Sequence, residues 1–332
     1  MSIPAHSAVP QIPPSPPSGD VLILLSSLSN PSNHAAHMSA LKALDSALGS
    51  SPDSYGRACV DLARTLACAS PSLVAHDQME CWSKSDGGVS LHQLRHDPSG
   101  GWARLREMAG LMLKNALSRP PQADGVQNQT QGINGMGTSM GNGAQARRMG
   151  LPIAAATEVR AILLVTLGDA SPQIRGAASS AVAAAAVNDY GALPVSMWPE
   201  LCPFLVGCLE ASLPGSAISA AGVTMTQQSP SGALRTLAKL LEDAPRRFEQ
   251  GAGPASFDRI ASALIGVLKS PTPTTGDAGA KRDALGCLTN LVETMPSSLA
   301  LLINEFLGVL SALAEDPDCG VRRAVCRAIV EL

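Results

Sequence analysis

Along this chain apolar residues return at offsets 0, 3, 4, 7, 8 and 11, the spacing that gathers them on one face of an α-helix. Two copies of the template are complete: Ile174, Ala177, Ala178, Ala181, Val182, Ala185, and Val321, Ala324, Val325, Ala328, Ile329, Leu332. A third runs Leu105, Met108, Ala109, Met112, Leu113, Ala116, and a fourth opens on Lys281 and continues Ala284, Leu285, Leu288, Thr289, Val292. Weaker copies start at Pro230 (Ala233, Leu234, Leu237, Ala238, Leu241) and at His37 (Ala40, Leu41, Leu44, Leu48). Each is preceded by a second apolar segment: Val21 to Leu28, Tyr55 to Leu66, Ile153 to Leu167, Trp198 to Leu209, Phe257 to Leu268 and Leu299 to Leu313. The pattern predicts about six helical hairpins.

A hairpin of this size cannot bury its apolar faces alone, so stability has to come from stacking on its neighbours. The shortest interval between template starts, Lys281 to Val321, falls in the range of HEAT and armadillo repeats. The expected fold is therefore all-α, a HEAT-repeat α-solenoid stacked as a right-handed superhelix with a continuous concave binding surface. Its repeats are expected at about 20–49, 53–118, 151–188, 197–245, 256–296 and 299–332. A Pro- and Ser-rich start, residues 1–19, is expected to be disordered, and 119–150 to be a low-complexity insertion rich in Gly, Asn and Gln. Stretches 211–230 and 270–280 also read as loops. The chain stops at Leu332 within its last template helix, without a C-cap signal, which suggests a C-terminally truncated piece of a longer solenoid.

One polar feature recurs with the template. Four copies carry arginine just after the first position: Arg106, Arg175, Arg282 and Arg322. Asp169 and Asp316 stand six residues ahead of Arg175 and Arg322, in short turns that contain proline. A turn aspartate and a first-turn arginine could form a structural ladder of hydrogen bonds between neighbouring repeats.

Composition narrows the function. Hydrophobic residues make up 45% of the 332 residues and aromatics only 3%, which favours packed helix over sheet. The net charge of −3, without a long basic run, argues against direct nucleic-acid binding. No apolar run reaches the roughly 20 residues a membrane helix needs, so no membrane insertion is expected. Eight scattered cysteines with no C-x-x-C pair read as reduced, mostly buried thiols.

No reaction can be written for the chain. His92 and His96 have the spacing of two metal ligands on a helix, yet Asp97-Pro98 and Gly100-Gly101 follow at once and no third ligand is near. The glycines at 132, 135, 137, 141 and 143 lack the preceding strand of a phosphate-binding loop. Serine is abundant but no nucleophile motif surrounds it. Neither an enzyme, a cofactor nor a metal is expected.

With the repeats in register, Arg106-Glu-Met-Ala-Gly110-Leu-Met-Leu-Lys114-Asn115 resembles the early-repeat signature of the importin-β superfamily, an arginine followed by G-L-x-L-K-N. The transportin branch is suggested by Gly168-Asp169-Ala-Ser-Pro172-Gln-Ile-Arg175, by Trp198-Pro199-Glu200-Leu201, and by Leu313-Ala-Glu-Asp316 with Val321-Arg322-Arg323. The resemblance implies the amino-terminal repeats of a nuclear import receptor that shuttles between cytoplasm and nucleus. It implies contact with the small GTPase Ran in its GTP form through the second helices of the first three repeats, where Lys114 and Asn115 lie in the matched motif. It also implies contact with phenylalanine-glycine nucleoporins, while import cargo would be held only through later repeats that this chain lacks. The alternative is a HEAT scaffold of another class, a phosphatase or chromosome-associated subunit, which would leave the Arg106–Asn115 motif unexplained.

Overall fold

The computed structural model describes residues 19–29, 34–49, 51–68, 101–118, 151–190, 198–213, 230–245, 248, 254–270, 277–294 and 297–332. The readings of 1–18, of His92 and His96, of the glycines from 132 to 143 and of the 119–150 insertion lie outside them. Twelve α-helices, and no strand, occur among the described residues: α1 (Gly19–Ser29), α2 (His34–Gly49), α3 (Pro52–Ala67), α4 (Gly101–Ser118), α5 (Ile153–Thr166), α6 (Pro172–Tyr190), α7 (Leu201–Ala211), α8 (Ser231–Asp243), α9 (Pro254–Lys269), α10 (Asp277–Thr294), α11 (Ser297–Leu313) and α12 (Cys319–Glu331). All six template copies are helices, α2, α4, α6, α8, α10 and α12, and a first helix precedes each. Two boundaries differ from expectation. Trp198 sits in the turn before α7, fully covered, and α10 begins at Asp277 inside a stretch read as loop. Aspartate is a residue favoured at helix starts, and the alanines at 278 and 280 are strong helix formers.

The chain divides into two compact units, residues 1–160 and 161–332, with the boundary inside α5. In the first unit α1 pairs with α2 and α3 with α4, and α1 also packs on α4 while α2 packs on α3. The start of α3 is set by Ser51, whose Oγ accepts the Ser54 N–H at 3.1 Å, with Pro52 following in the first turn. The core of this unit joins Leu22, Leu25, Leu62, Leu66, Leu105 and Leu113, all without solvent exposure. Tyr55 ties α3 to α4 by donating its hydroxyl to the Ala116 carbonyl at 3.0 Å.

In the second unit the helices form two layers. The second helices pack in one row, α6 on α8, α8 on α10 and α10 on α12, and the first helices in another, α7 on α9 and α9 on α11. Small residues let the second-helix row approach closely. Ala178, Ala181 and Val182 of α6 are fully buried, and Ser179 donates to the Gly232 carbonyl of α8 at 3.0 Å. Gly232 itself lies against the carbonyl of Leu167, leaving no space for a side chain. Ion pairs brace the first-helix row, Arg259 with Glu210 at 2.7 Å and Lys269 with Glu305. The template places Ile329 and Leu332 inward, yet they are 56% and 44% exposed, because no described residue packs on that side of α12. Their counterparts one repeat earlier, Thr289 and Val292, are buried.

Cys59, Cys68, Cys202 and Cys287 are buried thiols, and burial pushes Cys59 and Cys208 up to about 12. Cys319 and Cys326 are instead exposed on α12.

The two helical glycines Gly232 and Gly286 should respond oppositely to alanine. A methyl at Gly286 meets nothing and should stabilise by about 0.5–1 kcal/mol through helix propensity. At Gly232 the methyl collides with backbone and should destabilise by about 1–3 kcal/mol despite the same propensity gain. Urea unfolding of the two variants checks both signs.

Candidate partner-binding surface

The corners inside four of the hairpins are held by one device. A helix ends with unpaired carbonyls, and here the first turn of the following helix supplies donors to them. Arg175 Nη1 donates to the carbonyls of Asp169 and Ala170 at 2.7 and 3.0 Å, and Arg322 Nη1 donates to those of Asp316 and Pro317 at 2.7 and 3.1 Å. In both turns the aspartate carboxylate accepts the backbone N–H two residues on, Ser171 at 2.8 Å and Asp318 at 2.9 Å. In the α3–α4 hairpin the buried Arg106 donates its Nε to the Leu66 carbonyl at 2.8 Å, and Trp102 donates to that of Cys68 at 3.1 Å. His37 Nδ1 lies 3.2 Å from the Leu28 carbonyl, in place to donate from the corresponding corner of α1–α2.

The expected ladder is therefore differently wired. Arg175 and Arg322 close their own hairpins, bonding to the backbone of Asp169 and Asp316, and among the described residues donate to no neighbouring repeat. The reason is reach. A first-turn guanidinium lies directly over the turn that precedes it, whose carbonyls are the nearest unsatisfied acceptors. Bonds between repeats come from other residues. Arg235 of α8 donates to the Pro172 carbonyl at 3.2 Å and pairs with Asp283 of α10 at 3.5 Å, and Lys281 donates to the Asp316 carboxylate at 3.1 Å. Arg282 lies beside Gly320 in the first turn of α12. The signal for Lys281 was visible as a charged residue at a template position that is apolar in four of the other five copies, whereas Arg235 sits off the template's arginine position and gave none.

These charges shift one another. Burial lowers Arg175, as does the charge of Arg235, with Asp169 opposing both, and its buried Nε makes no hydrogen bond among the described residues. Burial raises the Asp283 carboxyl and outweighs Arg235. At Asp316 burial pulls upward too, but the Asp318 N–H, Lys281 and Arg322 prevail and hold the carboxyl below its usual range.

Lys114 and Asn115 lie in the last turns of α4. Lys114 is half-buried, while Asn115 is exposed and lines an open groove of about 750 Å³ between α2 and α4. The groove's floor is apolar, from Met38, Leu41, Leu44 and Leu48 of α2 and from Met112 and Ala116 of α4, and Ser39, Lys42 and Asp45 stand with Asn115 at its polar edge. Within the same motif Gly110 and Leu113 are buried packing residues and Leu111 is exposed. The groove was not legible in the sequence, because it is a tertiary feature between two second helices that carry the same template as the rest. Among the described residues no cluster of three or more His, Cys, Asp or Glu could hold a metal ion, and no helix is long and apolar enough to cross a membrane.

Stacked helical hairpins with capped corners define an α-solenoid of the HEAT class. The chain is similar to importin subunit beta-2 of Schizosaccharomyces pombe, 32% identical over 139 residues covering 42% of this chain and 13% of the relative. It is also similar to mouse transportin-1, 24% identical over 196 residues covering 59% and 19%. The matched regions thus span less than a fifth of these curated relatives. No family model matches the chain. Among solved structures, importin-β (TM-score 0.58, 16% identity) and a Kap95:Nup1 complex (TM-score 0.58, 15% identity) each match 94% of this chain and 28% of theirs, and share its fold. The sequence likeness is thus to transportin-type proteins over part of the chain, and the likeness to solved structures shows the α-solenoid fold.

The Lys281–Asp316 rung should show in the pH dependence of stability. A carboxyl held below its unfolded value adds stability that is complete above about pH 4 and disappears as pH falls through the folded value. Lys281→Met should therefore lower stability at neutral pH, and its gap from the unmodified protein should shrink on acidification below about pH 4. Chemical unfolding across pH measures it, and a gap independent of pH would contradict the rung.

Proposed function

We propose that this chain is the amino-terminal part of a transportin-type nuclear transport receptor, a non-catalytic scaffold that binds Ran-GTP and works in nuclear protein import through the pore. The observation that carries the reading is the sequence likeness to importin subunit beta-2 and transportin-1 in two organisms. On this reading the GTPase docks on the second helices of the early hairpins, with Lys114 and Asn115 at the end of α4 among its contacts. The exposed amide of Asn115 supplies a donor at the rim of an apolar groove, as a protein interface requires, and Lys114 precedes it in the same turn. The solved Kap95:Nup1 complex, similar in fold, motivates phenylalanine-glycine nucleoporins as further partners and a distribution between cytoplasm and nucleus. Import cargo would engage through repeats outside this chain. The other-scaffold alternative accounts for the hairpins and corners but not for the transportin matches.

The test is retention of Ran, loaded with GTP or GDP, on the immobilised chain. Selective retention of the GTP form, weakened by joint substitution Lys114→Ala and Asn115→Ala, is the expected result. Equal retention of both nucleotide forms by the folded chain would refute the reading.

A further inference from the structure

Among the described residues two serines are followed by a described proline, Ser51 and Ser171, and they use their hydroxyls differently. Ser51 caps α3, its Oγ accepting the Ser54 N–H at 3.1 Å. The hydroxyl of Ser171, just ahead of Pro172 at the start of α6, caps nothing. It donates at the surface to Gln173 Oε1 at 2.9 Å and accepts no N–H among the described residues. Two guanidiniums bracket it. Arg175 lies over the turn with Nη1 on the carbonyls of Asp169 and Ala170, the two residues before Ser171. Arg235 arrives from α8, the neighbouring second helix, with Nη1 on the carbonyl of Pro172, the residue after it. The two cations are close enough for the charge of Arg235 to lower Arg175, and neither is well neutralised. Arg175 leaves its Nε without a partner. The carboxylate of the turn, Asp169, is engaged with the Ser171 N–H, and Asp283 stands 3.5 Å from Arg235 with a carboxyl that burial pushes up, away from its charged form.

We propose that Ser171 is a phosphorylation site for a proline-directed kinase, and that its phosphate pairs with Arg175 and Arg235 and so latches α6 to α8. In the transfer the bond from the γ-phosphorus of ATP to ADP breaks, the Oγ–P bond forms, and the hydroxyl proton leaves to the base of the kinase. Pro172 supplies the recognition element, and because the hydroxyl has no capping role its modification breaks no helix cap. The product adds a charge of about −1.5 to −2 and three acceptor oxygens. Guanidiniums hold phosphate through paired, charge-assisted N–H bonds, and one of these two belongs to the next hairpin. A modification on one hairpin therefore tightens its contact with the next, which already buries Ala178 and Ala181 of α6 and joins Ser179 to Gly232. The proposal goes beyond the GTPase reading and does not depend on it, since Ser171 and both arginines lie in the second unit.

The test incubates the whole folded chain with a proline-directed serine kinase and magnesium ATP and reads occupancy at Ser171 by mass spectrometry. The same chain with phosphoserine installed at position 171 during translation gives uniform material for phosphorus NMR across pH. A free phosphoserine ionises a second time near about pH 6, and beside two guanidiniums the midpoint should fall by at least about half a pH unit below that of an unstructured peptide of the same local sequence. Arg235→Gln, checked by circular dichroism, should return much of that fall. Phosphorylation should also slow amide exchange in 172–190 and 231–243 several-fold in the parent and not in Arg235→Gln. Should that variant misfold, the comparison with the peptide still decides. Failure of the kinase to modify Ser171, a midpoint no lower than that of the peptide, exchange unchanged by the phosphate, or slowing that persists in Arg235→Gln would each overturn the proposal.

Discussion

The constraint on which the rest of this structure depends is that a two-helix hairpin has more apolar surface than it can hide by itself. Each second helix here has a face wider than its own partner helix covers, and the surplus is buried only when the next second helix lies against it. The row α6, α8, α10 and α12 satisfies that demand pair by pair, which is why alanine, serine and glycine appear at its contacts: small residues let two backbones come close enough to exclude water along their length. Burial therefore falls wherever the row is interrupted. Ile329 and Leu332 are exposed although their counterparts in α10, Thr289 and Val292, are buried, and Leu41, Leu48 and Met112 are half-exposed beside the α2–α4 groove.

Close stacking creates a second problem, the carbonyls left at each hairpin corner. Packing helices tightly pushes these ends out of water's easy reach, and a buried acceptor without a donor costs about 1–3 kcal/mol. The chain answers with a donor carried one turn into the next helix, histidine in the first hairpin and arginine in the second, third and sixth. Because the donor and the carbonyls belong to the same hairpin, the corner angle is set before the repeat meets its neighbours. Other side chains, Arg235 and Lys281, reach across to adjacent repeats and align the row.

Much of this was legible in the sequence, because the helical period is a local property. Six template copies located six second helices, and the arginine that follows the first template position marked the corner donors Arg106, Arg175 and Arg322. What those arginines bond to was not legible. The sequence places an aspartate six residues away, and only the folded turn shows that the guanidinium reaches its carbonyl while the carboxylate is occupied with the backbone N–H two residues on. The α2–α4 groove was likewise hidden, since Leu41 and Met112 obey the same pattern as their buried counterparts. A tertiary gap leaves no trace in periodicity. The start of α10 at Asp277 escaped because proline, threonine and glycine just before it read as loop, while the helix-forming residues that follow were too few to outweigh them.

The functional reading concentrates on the second helices of the first two hairpins, and hydrogen–deuterium exchange of the whole chain tests that most directly. In the presence of GTP-loaded Ran, but not the GDP form, amides in 34–49 and 101–118 should gain protection while 254–313 stay unchanged. Protection confined to 254–313, or the same in both nucleotide forms, would contradict the account.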